Sequence, residues 1–394
     1  MKKLLFVIPT LGSGGAEKSL VNLLCELPLD SYDISVMVFA NKGLFIDQVP
    51  SKVNIITPQP DLYYLYNKPD IKVLRSAQGL AATVCRLIGT VITRSTNRNV
   101  GRANQIRWNK YYSKFLPENN QDYDVAIAYL EGEAMYYVAD KVKAKRKIAW
   151  FHNDYKSKMF DPRFDQVMFK RFDTIVTISD ECKSILCDTF PMMQNKFIVI
   201  PNLVSESRIR ALGEAETPDM VIPSGWKTIV SVGRLNKQKG FDLAVSAAKL
   251  LKEREYKFVW YIIGEGEERA TLEKQILDLG LNAYVKLIGC RINPYAYMRK
   301  ADIFAQTSRF EGKSIVLDEA KILGKAILTT AYPTVKDQIK EHEGLIVDIN
   351  SNAIAKGLEQ MLSDEDLRFR LSTQLLSEHY GNIELIEKYR LLFN

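Results

Sequence analysis

Glu311 and Glu319 stand eight residues apart in the run Arg309-Phe310-Glu311-Gly312-Lys313-Ser314-Ile315-Val316-Leu317-Asp318-Glu319-Ala320. Carboxylates accept hydrogen bonds from pairs of hydroxyls, so acids at this spacing suit a sugar or a ribose. Gly312 permits close backbone approach, and the N–H groups after it would open a helix whose start favours an anion. Spacing alone leaves a plainer reading open, one acid on a helix dipole and one on the surface. Gly233-Arg234-Leu235 and Lys239-Gly240 place two cations five residues apart. Arginine forks two phosphate oxygens and lysine adds a point charge, which suits a diphosphate. Lys237, between them, reads as a solvated lysine. Near the start, Gly12-Ser13-Gly14-Gly15 offers backbone N–H groups to a phosphate. A dinucleotide fingerprint would need glycine at position 17 and an acid closing the second strand. The chain has Glu17, and the strand ends Val38-Phe39-Ala40-Asn41-Lys42, so a nicotinamide dehydrogenase loses both supports. His152 lies in Trp150-Phe151-His152-Asn153-Asp154; the other histidines are His342 and His379. A lone histidine is more often structural than functional. Glu131 and Glu133 add two acids nearby, and Asp154 reads as a helix cap. No Asp-x-Asp follows a strand, and Asp364-Glu365-Asp366 reads as a surface helix start, so no metal is expected.

These residues need elements that present them. Short apolar runs predict strands at Leu4–Ile8, Ile34–Phe39, Asn54–Ile56, Val125–Tyr129, Arg146–Phe151, Thr174–Ile178 and Phe197–Ile200. A second series follows at Thr228–Val232, Phe258–Ile263, Val285–Ile288, Ile303–Gln306, Ala326–Thr329 and Gly344–Val347. Helical periodicity fills the gaps, as from Ala16, over Leu243–Arg254 and over Glu267–Leu279. The alternation predicts two parallel α/β halves. Glu206–Trp226, with Gly213, Pro218, Pro223 and Gly225, reads as the linker between them. Parallel sheets bind ligands outside the carboxyl ends of their strands, and most of these motifs directly follow a strand.

The 394 residues are 46% apolar and 26% charged, an ordinary soluble composition too long for one core. The five cysteines have no zinc spacing and read as free thiols in a reducing compartment. Leu4–Ile8 is shorter than the roughly 7–15 apolar residues of a signal peptide. No run reaches the roughly 18 residues of a membrane span, so a cytoplasmic protein is expected. The net charge of +7 is local. Residues 71–116 hold Lys72, Arg75, Arg86, Arg94, Arg98, Arg102, Arg107, Lys110 and Lys114 and no acid; taking these nine from +7 leaves the rest at −2. Apolar residues at 73, 77, 80, 84, 87, 88 and 91 have helical spacing. Such a segment suits an anionic membrane surface; the alternative is a core helix with a solvated basic face. Nothing here resembles a nucleic-acid module.

Gly14-Gly15-Ala16-Glu17, Gly233-Arg234-Leu235 with Lys239-Gly240, Gly264-Glu265-Gly266 and Glu311-Gly312 through Glu319-Ala320 together resemble the retaining glycosyltransferases of family 4, group 1, in order and spacing. The resemblance implies a GT-B fold: two Rossmann-like domains facing across a cleft, residues 1–205 for the acceptor and 206–382 for the donor. A C-terminal helix, about 383–394, would return to the first domain. It implies transfer of a sugar, a hexosyl or N-acetylhexosaminyl group, from a nucleoside diphosphate sugar with retention and without a metal or other cofactor. UDP is the commonest base in the family. The acceptor would be a glycan or a lipid-linked glycan of bacterial surface polysaccharide or glycoconjugate synthesis, reached by peripheral contact of 71–116 with the inner face of the membrane. Carried over by residue, Arg234 and Lys239 would hold the diphosphate and Glu311 the sugar. His152 would lie near the sugar and Glu319 would bind the ribose. Gly14, Gly15 and the backbone of Ser314, Ile315 and Val316 would meet phosphates. Arg291 and Asn293, in the turn Arg291–Tyr295, would border the base. Lys313-Ser314 and Ala331-Tyr332-Pro333-Thr334-Val335 depart from the family pattern, which has an apolar residue and a glycine-rich turn there. Two relatives in function remain open: a sugar-nucleotide 2-epimerase of the same fold, and a non-catalytic partner of another transferase.

Overall fold

A computed structural model describes all residues except 13, 41–42, 57–59, 68–72, 74–75, 97–98, 218 and 312. The chain forms two compact units, Met1–Leu203 with Ile383–Asn394, and Val204–Asn382.

The first unit is built on a seven-stranded parallel sheet. Its strands are β1 (Lys2–Ile8), β2 (Tyr32–Val38), β3 (Asn54–Ile56), β4 (Asn119–Ala128), β5 (Val142–Phe151), β6 (Thr174–Thr177) and β7 (Phe197–Val199). They lie in the order β3-β2-β1-β4-β5-β6-β7. Every registered pair is parallel, so the chain must cross over between strands and cover both faces with helices. Alternate residues of β1 serve opposite faces. Leu5 and Val7 join one core with Trp108, Met135 and Phe169, while Leu4, Phe6 and Ile8 join another with Leu20, Leu24 and Trp150. The helix Ile386–Phe393 completes that second core with Tyr389, Leu392 and Phe393. Tyr389 stacks on Trp150 at 5.3 Å and 7°.

The second unit carries β8 (Lys227–Val232), β9 (Phe258–Ile263), β10 (Val285–Gly289), β11 (Ile303–Gln306), β12 (Ala326–Thr330) and β13 (Gly344–Val347). Their order is β10-β9-β8-β11-β12-β13, again parallel throughout. Each sheet therefore reverses its winding once, at β1/β4 in the first unit and at β8/β11 in the second. Loops part at such a switch point and leave a crevice at the strands' carboxyl ends. The Gly12–Gly15 turn follows β1, the Arg234 loop follows β8 and the Glu311 loop follows β11.

All thirteen expected strands are present, with ends moved by a few residues. The stretch Glu206–Trp226, read as a linker, differs: it opens with the helix Glu206–Gly213, whose Ile209 is buried. Gly213 is the last residue of that helix and the other glycine and the prolines come later in the chain, so sequence reading extended their loop signal backwards.

Candidate active site

In the second unit, β8 ends at Val232 and the chain turns through Gly233, Arg234 and Leu235 into a short 3-10 turn, Lys237–Lys239. Gly240 follows with φ 64, and a Cβ there would sit 2.1 Å from the Thr307 carbonyl oxygen. Only glycine lets the Lys239 loop lie against the end of β11 this closely. Thr307 confirms the register by donating its hydroxyl to the Lys239 carbonyl at 3.0 Å. The two loops are then laced together. Arg309 forks Asp242 at 2.8 and 2.7 Å and holds the Asp242 carboxyl below its usual pKa range. Gln238 donates to the Phe310 carbonyl at 3.0 Å.

Within this frame Lys239 Nζ meets Glu311 Oε1 at 2.6 Å, with the side chains only 18% and 8% exposed. Ser308 donates to the same oxygen at 2.6 Å, and Gln238 Nε2 to Oε2 at 3.3 Å. Glu311 is thus fixed on three sides. Arg234 is exposed and, among the described residues, makes no ion pair. Lys237 is 69% exposed and pairs with Glu268 at 3.0 Å.

The helix Ile315–Ile322 begins four residues after Glu311, so only the second half of the eight-residue spacing is helical. Glu319 lies on its inner face, 1% exposed, and accepts from Tyr295 OH at 3.0 Å. The surface reading of this acid is excluded. Ser314 is buried, with its N–H already on Gln338 Oε1 at 2.7 Å, so the first helical N–H groups are those of Ile315 and Val316. Arg291 pairs with Asp219 and donates Nε to Tyr297 OH at 3.0 Å. Asn293 donates Nδ2 to the Leu212 carbonyl at 2.7 Å and accepts from the Tyr295 N–H at 3.2 Å. Both side chains therefore shape the turn after β10. Gly312 lies outside the described residues.

In the first unit, Gly14 precedes the helix Gly15–Glu26, and a Cβ on Gly14 would lie 2.2 Å from Glu17 Oε2. The glycine makes room for the Glu17 carboxylate, which also takes the Thr10 hydroxyl at 3.3 Å. His152 follows β5. Its ring lies 5.0 Å from that of Tyr129, which stacks on Trp150. Both ring nitrogens are buried and meet no hydrogen-bond partner among the described residues. Burial pushes the imidazole down to about 4, against the pull of Glu131 and the polar groups of Tyr129 and Asn202. His152 is a neutral ring at pH 7. Glu131, 8% exposed, accepts from the His152 N–H at 3.1 Å and from Asn153 Nδ2 at 2.5 Å. Glu133, half-buried, pairs with Arg107. Glu131 thus holds the loop after β5, and the Glu133 pair joins the helices Val100–Arg107 and Glu133–Lys141.

A family model described as Glycosyl transferases group 1 matches residues 214–375, which span Arg234, Lys239, Glu311 and Glu319. The chain is 27% identical over 376 residues to the N-acetylgalactosamine-N,N'-diacetylbacillosaminyl-diphospho-undecaprenol 4-alpha-N-acetylgalactosaminyltransferase of Campylobacter jejuni, covering 93% of this chain and 92% of that one. A second Campylobacter jejuni relative, an alpha-1,4-N-acetyl-D-galactosaminyltransferase acting on a diNAcBac-PP-undecaprenol glycan, is 26% identical, covering 94% and 92%. Among solved structures, Anabaena HepE in complex with UDP-glucose superposes with a TM-score of 0.64 at 16% identity, covering 100% of this chain and 99% of that one. Staphylococcus aureus TarM gives 0.64 at 12% identity, covering 100% of both. The chain is a GT-B glycosyltransferase. In this glycosyltransferase Lys239 and Glu311 meet at the second unit's switch point, while Arg291 lies after the edge strand β10.

Sequence reading missed the partners that fix them, Asp242, Gln238 and Ser308, which belong to no motif and lie 3 to 73 residues away along the chain; it placed Tyr295 in the turn after β10 but not on Glu319. The basic stretch also changed. Its helix runs Ala77–Thr96, not from 73, and turns its apolar stripe outward: Leu80, Val84, Leu87, Ile88 and Val91 are 45–65% exposed. The core-helix reading of that stripe is overturned. Lys72, Arg75 and Arg98 lie outside the described residues. Arg107 faces inward to Glu133, while Lys110 and Lys114 are exposed. Among the described residues no helix is long and apolar enough to cross a membrane. One group there has metal-ligand residue types, His342, Glu343 and Glu378, but Glu343 already takes Lys321 at 2.9 Å.

His152 and Asp165 make opposite demands on pH in the first unit. Between pH 6.5 and about 4 the unfolded chain binds a proton that buried His152 refuses, so stability falls as pH falls. Asp165, fully buried beneath Tyr136 OH at 2.9 Å and Tyr155 OH at 2.7 Å, is pushed by burial from 3.8 up to about 6. There the folded chain binds the extra proton, so stability falls as pH rises through that window. Each effect is roughly 3 kcal/mol, and they oppose each other. Asp165→Asn should uncover a stability that climbs from pH 4 to 6.5, and His152→Asn one that declines from pH 4 to 6. Urea melts of the two variants across this range should give slopes of opposite sign; parallel slopes would contradict the assignment.

Proposed function

We propose that this enzyme is a retaining glycosyltransferase of family 4 that moves a sugar from a UDP-sugar to a glycan or lipid-linked acceptor in bacterial surface polysaccharide or glycoconjugate synthesis. The observation that carries the reading is the Lys239–Glu311 pair at 2.6 Å, with Arg234, which makes no ion pair among the described residues, on the loop after β8. Arg234 and Lys239 hold the diphosphate and offset its charge as the C1–O bond to phosphate breaks. Glu311 accepts from donor sugar hydroxyls. Glu319 holds the ribose, Ile315 and Val316 offer N–H groups to phosphate, and Arg291 and Asn293 shape the turn that borders the base. No carboxylate in the grip is left as an obvious nucleophile. The acceptor hydroxyl therefore attacks from the face the diphosphate leaves, and its proton passes to the departing phosphate oxygen. His152 enters as a neutral hydrogen-bonding group, not as a base. No metal is needed for this charge balance. The two Campylobacter jejuni relatives, named for undecaprenol-linked glycans, support the acceptor class, and the UDP-glucose complex of Anabaena HepE supports the base.

A thermal-shift screen of UDP-, GDP- and ADP-sugars tests the donor. A ligand at a hundred times its Kd adds about 2.7 kcal/mol, a rise of several degrees in Tm. A UDP-sugar should give the largest rise, and NMR of the product should show a retained anomeric configuration. An inverted product, or conversion of the free donor to its 2-epimer without acceptor, would overturn the reading.

The same proposal puts the outward apolar stripe of helix Ala77–Thr96 on an anionic bilayer, with Lys110 and Lys114 at the headgroups. The double change Leu87→Glu and Val91→Glu should cut co-sedimentation with phosphatidylglycerol vesicles about tenfold or more, given roughly 1 kcal/mol per surface charge and the lost apolar burial. Unchanged sedimentation would remove the membrane from the proposal.

A further inference from the structure

Ala331-Tyr332-Pro333-Thr334-Val335 follows β12, where the resemblance to family 4 implies a glycine-rich turn. The segment is built as a brace. Thr334 Oγ1 donates to the Glu311 carbonyl at 2.9 Å. Gln338, 7% exposed, takes both backbone groups of Ser314: Oε1 accepts the N–H at 2.7 Å and Nε2 donates to the carbonyl at 3.1 Å. Thr334 and Gln338 flank the single 3-10 turn Val335–Asp337. One turn of chain thus grips two residues three apart on the donor loop, on either side of Gly312 and Lys313.

A second layer holds this turn in place. Tyr332 is buried and its hydroxyl accepts from Gln306 Nε2 at 3.3 Å. Gln306 Oε1 in turn accepts from Ser314 Oγ at 2.7 Å. Ser314 occupies the N-cap position of the helix Ile315–Ile322, where its hydroxyl would ordinarily accept an N–H of the first turn. Drawn off to Gln306, it makes no such bond. The helix start is therefore held by Gln338 and not closed by its own cap.

We propose that Thr334 and Gln338 are positioning residues that set the distance between the sugar-facing carboxylate Glu311 and the phosphate-facing helix start at Ile315. The inference rests on the donor reading above. The two gripped residues are three apart in the chain, so holding both sets the span between them. A misplacement near 1 Å can cost on the order of a hundredfold in rate, which makes two-point fixing consequential.

The test uses the full chain with Thr334→Val, Thr334→Ser and Gln338→Leu. Calorimetry measures the affinity of UDP, GDP and ADP, and turnover is measured with the sugar donor found by the thermal screen. Gln338→Leu should weaken the best-bound diphosphate about tenfold, because it frees the phosphate end. Thr334→Val should leave that affinity within about twofold but lower kcat about tenfold, because it frees the sugar end. Thr334→Ser, which keeps the hydroxyl, should restore kcat. Amide exchange over 309–318 should quicken in Gln338→Leu and Thr334→Val alone. Wild-type affinity and kcat in Thr334→Val and Gln338→Leu, beside an inactive Glu311→Gln, would overturn the brace and leave the donor reading standing. Normal transfer by Glu311→Gln, or no diphosphate bound by the wild type, would instead remove the donor reading and the brace with it. Should Gln338→Leu fail to fold, the Val/Ser contrast at the half-buried Thr334 still decides.

Discussion

Replacing Arg234 by alanine is expected to lower transfer by a hundredfold to a thousandfold, on the order of losing one charge-stabilising donor, without moving Tm. The separation of the two effects follows from its surroundings. Arg234 is exposed and among the described residues engages no carboxylate, so the folded state loses no ion pair when it goes. Its guanidinium serves only what comes to it. Arg234→Lys should recover little, because a point charge cannot fork two phosphate oxygens. Steady-state transfer with a differential scan of each variant checks both parts. A variant that transfers normally would take Arg234 out of the site, and one that unfolds early would make it a structural residue.

Glu311→Gln should behave differently, losing both transfer and stability. Glu311 is 8% exposed and neutralises Lys239 at 2.6 Å. Removing one charge strands the other in a poorly solvated place, at a cost of roughly 3 kcal/mol. Transfer should fall at least about a hundredfold, since glutamine accepts more weakly from sugar hydroxyls. The double variant Lys239→Gln with Glu311→Gln should regain much of the stability and none of the activity. That non-additivity in Tm, read as a double-mutant cycle, separates the pair's structural part from its chemical part. Additive Tm losses would show that the two charges are not coupled.

Some of this was legible from residue order and some was not. The strands were, because apolar runs of three to six residues between helical stretches have few other uses, and all thirteen appear. The switch-point residues Arg234, Lys239, Glu311 and Glu319 were, because each follows a strand in a motif. Their support was not. Asp242 reaches Arg309 across 67 positions and Gln338 reaches Ser314 across 24, and neither distance leaves a local pattern. The orientation of the helix Ala77–Thr96 was also hidden. Periodicity gives an apolar face its angular width but not its direction, so a stripe meant for solvent or a bilayer reads like one meant for the core. Glu206–Trp226 misled for a related reason, since proline and glycine mark where a helix stops and say little about what precedes them.

The contribution of Tyr389, Leu392 and Phe393 to the first unit's core has a consequence for the order in which the molecule is made. The second unit is continuous, Val204–Asn382, and sits in sequence inside the first. A ribosome therefore delivers every residue of the second unit while the first still lacks the aromatic side chain that covers Trp150. Chains fold by units as they emerge. The second unit's residues all leave the exit tunnel before the 386–393 helix does, so the first unit, begun earlier, is the last to be completed. A chain cut after residue 382 should therefore keep every residue of the second unit and leave the first unfinished, without the Tyr389 ring on Trp150.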